Sequence, residues 1–135
     1  MDSIKKNNKL EVGEKISLLW IVILFSMIFA DILSFMLPGS LKEIIDGTVT
    51  SFEITQEILL VFALLLEIPI IMIFLSRILK GNINRWANIV AAIITIAFVI
   101  GGGSLTLHYI FFAAVEVISM LIIIWLAWKW PKEEL

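Results

Sequence analysis

The sequence predicts an all-α membrane protein, an antiparallel bundle of four helices that spans the bilayer with both termini in the cytoplasm. Of its 135 residues, 61 % are hydrophobic and only 16 % are charged, and the mean hydropathy is +1.06. Soluble proteins are about 45–50 % apolar and about 25 % charged. The apolar residues form four long segments, and most basic residues flank one end of these segments. We therefore expect a single membrane domain over residues 1–135, without a separate soluble domain.

The four apolar segments are long enough to cross a bilayer, because a spanning helix needs about 20 mostly apolar residues. Proline or glycine lies at the end of each segment, and both residues commonly end helices. The predicted helices cover residues 16–37, 55–79, 84–103 and 106–130. The second and third connections are short, so consecutive helices should be antiparallel neighbours. The first connection, residues 38–54, contains apolar residues at helical spacing, which indicates a short surface helix, with an ordinary polar loop as the alternative.

The first apolar segment is expected to be a retained span and not a cleaved signal peptide. It is longer than the apolar core of a signal peptide, and it contains Asp31. No clear small-x-small cleavage site follows it.

The positions of lysine and arginine predict the orientation, because cytoplasmic loops of membrane proteins carry an excess of these residues. Nine of the ten lie in the N-terminal tail, the second connection or the C-terminal tail, and Lys42 is the exception. Both termini are therefore expected in the cytoplasm, and the first and third connections outside. The tryptophans fall near the cytoplasmic helix ends, as an interfacial aromatic belt requires, although Trp20 and Trp125 lie slightly deeper, with packing inside the bundle as the alternative. The expected location is the cell (cytoplasmic, or inner) membrane.

Three carboxylic acids lie well inside the predicted spans, more than one turn from either end, namely Asp31, Glu67 and Glu116 in the first, second and fourth helix. A charge at the bilayer centre costs at least about 2.5–3.5 kcal/mol. Such a residue therefore faces the protein interior, finds a partner or takes up a proton. With a rise of about 1.5 Å per residue, the three acids fall within roughly 10 Å of one another in depth. This favours a shared polar pocket in the outer half of the bundle, with separate structural hydrogen bonds as the alternative.

Three aromatic residues are candidates for the same pocket. Tyr109 lies nearly two helical turns before Glu116 on the same face, and Trp20 shares the face of Asp31. His108 is the only histidine. Because imidazole changes its charge near neutral pH, His108 suits a proton entry point, although an ordinary surface or hydrogen-bonding role is the alternative.

Pro69 distinguishes Glu67 from the other two acids. A proline within a helix frees the carbonyl one turn earlier, here that of Leu65, and often kinks the helix. A freed carbonyl beside a carboxyl group suits an ion, a protonated amine or a water molecule. The sequence therefore predicts Glu67 as the strongest single candidate.

Several kinds of chemistry are not indicated. The chain has no cysteine and one histidine, which excludes thiolate chemistry and a metal site of several histidines. We predict no catalytic residue, no metal and no cofactor, and the net charge of −2 does not indicate nucleic-acid binding. Residues 101–103 are three glycines, but no strand precedes them and no lysine follows, so they predict a helix break and not a phosphate loop.

Five short runs carry a resemblance to a known family: residues 29–35 (FADILSF), 66–69 (LEIP), 84–88 (NRWAN), 101–104 (GGGS) and 108–109 (HY). Together they resemble a family of small prokaryotic four-helix membrane proteins of unknown function, over nearly the whole chain. The resemblance implies four spans in a bacterial or archaeal inner membrane, and it brings no activity. The chain is also loosely similar to DoxX-type four-helix proteins in size and architecture. Small multidrug transporters share four spans and an embedded glutamate, but their glutamate is in the first helix, where this chain has Asp31.

The sequence leaves three functions open. The first is a small transporter or ligand-binding protein, in which Glu67 and Glu116 bind a cationic or amphiphilic small molecule or exchange protons, while Asp31 tunes them. The second is a structural or accessory subunit whose acids join helices or bind a basic residue of a partner. The third is a lipid-modifying enzyme with a carboxyl acid–base pair. The expected partner is the lipid bilayer, and a second copy of the chain is a further candidate.

Overall fold

A computed structural model describes the chain at residues 10–49, 52–103 and 105–131, and the fold of this part is all-α, as predicted. A two-stranded antiparallel ribbon, which the sequence did not predict, pairs Thr48 with Glu53 and Val49 with Phe52. The elements in chain order are α1 (Val12–Phe35), α2 (Ser40–Ile45), β1 (Thr48–Val49), β2 (Phe52–Glu53), α3 (Gln56–Ile78), α4 (Asn82–Gly101) and α5 (Leu107–Trp128).

Helices α1, α3, α4 and α5 are each long and apolar enough to cross a membrane. Their outward-facing side chains are mostly large and apolar, and examples are Phe25, Leu64, Val90 and Phe111, each more than half exposed. Soluble monomers rarely expose this much apolar surface to water, whereas contact with lipid tails is favourable for it. The four helices therefore suggest a multi-pass membrane protein.

Local sequence explains where the long helices begin and end. Helix α1 begins at Val12, four residues before the predicted position, because the polar first turn is also helical. Glu14 in this turn complements the positive end of the helix dipole. Helix α3 begins after Thr55, whose hydroxyl accepts a hydrogen bond from the Ile58 N–H at 3.2 Å. Between α3 and α4, Gly81 has a φ of 68°, which favours glycine in this tight turn.

The four long helices form a closed ring in chain order. Helix α1 packs against α3 and α5, and α4 packs against the same two helices. The neighbouring pairs α3–α4 and α4–α5 were predicted from their short connections, and α1 and α3 are also neighbours, across the longer first connection. We call the end that carries α2, the strands and the α4–α5 connection the hairpin end, and the end that carries Leu10, Trp130 and the α3–α4 connection the terminal end.

The core is best packed in the terminal half of the bundle. Ile16, Trp20 and Ile23 of α1 and Met120 and Ile123 of α5 are completely buried. Beyond Ala30, by contrast, most residues of α1 are exposed. The loosely packed hairpin half therefore leaves room for a cavity.

Candidate ligand-binding cavity

A cavity of about 370 Å³ lies in the hairpin half of the bundle. All four long helices contribute to its wall, and the end of the ribbon adds a further side. The lining residues are Met27, Ala30, Asp31, Glu53, Ile54, Ile58, Leu59, Phe62, Leu66, Phe98, Val99, Gly102, Tyr109 and Glu116.

The ionisable groups of the cavity wall are acidic. Asp31 comes from α1, Glu53 from β2, and Tyr109 and Glu116 from α5. Asp31, Tyr109 and Glu116 are close enough to interact electrostatically. Within the described part of the chain, no lysine or arginine lines the wall. The cavity wall therefore carries several acidic groups and, among the described residues, no lysine or arginine that could pair with them.

Glu116 is the most deeply placed of these acids. Its side chain is only 3 % exposed, and its carboxyl group makes no hydrogen bond to any residue described in the structure. A buried carboxyl group without a partner is energetically costly. A cation or a hydrogen-bond donor that enters the cavity would remove this cost.

The rest of the wall is apolar and aromatic. Phe62 of α3 and Phe98 of α4 contact each other, with ring centroids 6.2 Å apart and ring planes inclined at 53°. Ring faces of this kind attract cations as well as apolar groups. A mostly apolar cavity with a few converging polar groups is the usual form of a small-molecule site.

The third glycine of the run 101–103, Gly103, lies against the ring of Tyr109. A Cβ atom on Gly103 would lie 2.9 Å from Tyr109 Cε1 and 3.3 Å from the Val99 carbonyl oxygen. Only a residue without a side chain leaves space for the tyrosine ring in this position. The three glycines predicted a helix break, and nothing in the sequence indicated that one of them lies against a cavity residue.

His108 lies beside the cavity and joins α5 to α1. Its Nε2 atom is 2.9 Å from the Ser34 hydroxyl oxygen, and this hydroxyl donates to the Ala30 carbonyl at 2.8 Å. Because the single hydroxyl proton of Ser34 is used in that bond, His108 Nε2–H is the donor to Ser34. Ser34 follows Asp31 by one helical turn, so the histidine is one turn away from a cavity acid.

The structure does not bring every predicted residue to the cavity. Glu67 is exposed on the outer face of α3 and is not part of the wall. Trp20 is completely buried in the terminal half, where its indole N–H donates to Asn88. Pro69 is buried inside α3, and the helix continues through it from Gln56 to Ile78.

A buried polar network in the terminal half was not predicted as such. The Asn88 Oδ1 atom accepts from Trp20 Nε1 at 2.8 Å and from the Ser76 hydroxyl at 2.9 Å. The Asn88 amide nitrogen donates to Asn84 Oδ1 at 2.7 Å, and Asn84 donates in turn to the Ser76 carbonyl at 2.8 Å. This network joins α1, α3 and α4.

Among the residues that the structure describes, no group of three or more histidine and acidic side chains is arranged to hold a metal ion. The acids of the cavity wall are therefore spread around a space and not gathered on one point.

A ring of long apolar helices with apolar outer faces indicates the class of multi-pass α-helical membrane proteins, here with an acidic internal cavity. Within this class, the chain belongs to DUF6326, a family of unknown function whose model matches residues 5–135. No curated protein and no solved structure matches the chain. The expected membership of a family of unknown function is confirmed, whereas the likeness to DoxX-type proteins stays a prediction.

Proposed function

We propose that the protein binds a small organic cation with an apolar body in this cavity and exchanges it for protons across the membrane. The observation that carries the proposal is Glu116, a buried acid that lines the cavity and has no hydrogen-bond partner among the described residues. A cationic ligand would supply the missing partner through a charge-assisted hydrogen bond or ion pair.

The shape and chemistry of the wall support an organic cation over a metal ion. The rings of Phe62, Phe98 and Tyr109 can contact an apolar body and the positive charge together. Asp31 and Glu53 add negative charge at the sides of the same space. A cavity of about 370 Å³ has room for an aromatic or branched alkyl amine.

The same acids provide a reason for exchange with protons. A proton that binds a carboxylate removes the charge that attracts the cation, so the two compete for one site. The titratable groups that face the cavity are Asp31, Glu53, Tyr109 and Glu116. His108, which lies beside the cavity and bonds to Ser34 one turn from Asp31, is the proposed entry point for the protons.

We place the terminal end in the cytoplasm and the hairpin end outside, in the cytoplasmic membrane. Nine of the ten lysine and arginine residues support this orientation. At the terminal end, the Arg85 guanidinium carbon lies 5.6 Å from the ring centroid of Trp86 and 5.1 Å from that of Trp128. Both tryptophans are at least half exposed, as residues at a headgroup layer would be. In this orientation the cavity is nearer to the outside.

The test of binding uses benzyltrimethylammonium, a quaternary ion whose charge does not change with pH, and the protein in lipid nanodiscs. We expect saturable binding that weakens as pH falls, because protons neutralise the acids. Glu116→Gln should weaken it roughly ten- to hundredfold, because the variant loses the ion pair with the quaternary ammonium, at about 1.5–3 kcal/mol in the lower part of the range for close charge pairs. Glu57→Gln is the control, because Glu57 is exposed and outside the wall. Equal binding by the two variants would contradict the proposal.

The test of exchange uses proteoliposomes that hold a pH gradient. An outward proton gradient should drive uptake of the labelled cation, and uptake should release an equivalent amount of protons. If the cation binds but the proton gradient does not drive its uptake, the binding site is supported and the proposed transport is contradicted.

A further inference from the structure

Helix α3 is the least enclosed of the four long helices. Only 11 % of its most apolar window is buried, compared with 28–39 % for the other three. Its inner face is used, since Phe62 and Leu66 line the cavity. Its outer face therefore lacks a neighbour within the described part of the chain.

The outer face of α3 has a regular seven-residue pattern. Six residues follow one another at alternating steps of four and three positions, which is the spacing of the a and d positions of a coiled coil. They lie on one side of the helix and all are exposed. We call this row the α3 seam, and it consists of Leu60, Leu64, Glu67, Ile71, Phe74 and Ile78.

Glu67 lies in the middle of the seam and in the middle of α3. No described residue of the same chain gives its carboxyl group a hydrogen bond. If lipid tails covered the seam, this carboxyl group would face hydrocarbon at a depth where polar groups are most costly. A second protein surface that carries a polar group at the same depth would remove this cost.

We propose that the α3 seam is the interface of a parallel twofold homodimer, in which Glu67 of one copy pairs with Glu67 of the other. Copies that insert with the same orientation can be related by a twofold axis along the membrane normal, which places identical residues at identical depth. A carboxyl group can pair with its own copy, because the protonated form donates to an oxygen of the other. Ala63, one turn before Glu67, allows the two helices to approach closely.

The absence of cysteine from the sequence makes disulfide mapping direct. We expect Leu64→Cys and Ile71→Cys, each as the only cysteine, to form a covalent dimer of twice 15.3 kDa when membranes are treated with copper phenanthroline. Val61→Cys and Ile70→Cys are matched controls, because they are exposed at similar depth but on the flanks of the seam. These controls should give at least several-fold less dimer. Equal cross-linking at seam and flank positions would overturn the interface.

Substitution of Glu67 tests the carboxyl pair itself. In the Leu64→Cys background, Glu67→Gln keeps a donor and an acceptor and should retain the cross-link. Glu67→Lys places two cations together without an acceptor and should reduce the cross-link several-fold, measured against the chain present in the membrane. If the lysine variant does not insert, the comparison of seam and flank cysteines in the native background still decides the question.

The proposed cation site and the proposed homodimer can each be contradicted without affecting the other. The α3 seam and the cavity lie on different faces of the helix, so loss of cation binding in Glu116→Gln has no bearing on the cross-links. A cross-linked product of another mass would identify a different protein on the seam and would refute the homodimer, in favour of the accessory-subunit function.

Discussion

Glu67 and Glu116 are identical side chains near the middle of two spanning helices, and their surroundings are opposite. Glu116 is 3 % exposed and lines the cavity, whereas Glu67 is exposed on the outside of the bundle. The difference arises from the rotation of each helix about its own axis, since both acids lie at similar depth. One acid is therefore suited to a ligand and the other to a second protein surface.

The close approach of the Tyr109 ring to Gly103 can be tested by adding one methyl group at position 103. We expect Gly103→Ala to displace the tyrosine ring, because the new Cβ atom would lie 2.9 Å from Cε1. Loss of a cation–π contact of about 0.5–2 kcal/mol would weaken benzyltrimethylammonium binding roughly two- to thirtyfold. Tyr109→Phe keeps the ring and should keep most of the affinity.

Gly101→Ala is the matched control for this substitution. No atom lies within 4 Å of a Cβ atom built on Gly101, so its alanine variant should bind like the native protein. If both alanine variants bind equally well, the tyrosine ring does not contribute to the site.

At the scale of helices, polar contacts hold the terminal half together. Besides the Asn88 network, the Ser17 hydroxyl of α1 donates to the Ile73 carbonyl of α3 at 2.8 Å. Arg77 Nε donates to the same hydroxyl oxygen at 3.0 Å. Gly13 allows this closeness, because a Cβ atom there would lie 2.5 Å from the Ser76 carbonyl oxygen. These polar contacts therefore stabilise the packing of the terminal half, whereas the acid-lined cavity lies in the hairpin half.

Asn88→Leu tests the network, because leucine has a similar size and no polar atom. It should leave the Trp20 indole N–H and the Ser76 hydroxyl without their acceptor. We expect a loss of about 1–3 kcal/mol in the free energy of unfolding, towards the lower value because polar contacts in membranes are modest. The measurement is the unfolding midpoint in detergent. Cation binding at a temperature well below that midpoint should be unchanged.

Thr95→Val is the control on the same helix. The Thr95 hydroxyl is buried and donates to the Ala91 carbonyl within α4, so it joins no two helices. Its loss should have a smaller effect on the midpoint than Asn88→Leu. An equal effect on the midpoint would show that the interhelical hydrogen bonds of Asn88 stabilise the protein no more than the hydrogen bond within α4.

At the scale of the molecule, the sequence predicted where the long helices lie along the chain better than how each helix is rotated about its own axis. Length and hydropathy were sufficient for the four long helices, because each must supply about 20 apolar residues to cross a bilayer. Depth along the helix was also sufficient to place Asp31 and Glu116 near one another. Both quantities follow from counting residues along the chain.

Rotation could not be predicted in the same way. In a membrane, residues that face lipid and residues that face the interior are both apolar, so hydropathy does not identify the inner face. Glu67 and Trp20 therefore could not be assigned to the cavity or excluded from it. Glu53 reaches the cavity from a strand of two residues, which is too short to show alternation in the sequence.

The orientation of the whole molecule determines which side of the membrane the cavity is nearer to. Asp46 lies at the hairpin end and Asn82 at the terminal end, and both are exposed. In intact bacterial cells that express the chain, a membrane-impermeant maleimide should label Asp46→Cys. It should label Asn82→Cys only after the membrane is permeabilised. Neither substitution removes a lysine or arginine, so the charge distribution that sets the orientation is kept. The reverse labelling pattern would place the cavity nearer the cytoplasm, and the proposed exchange would then take its cation from inside the cell.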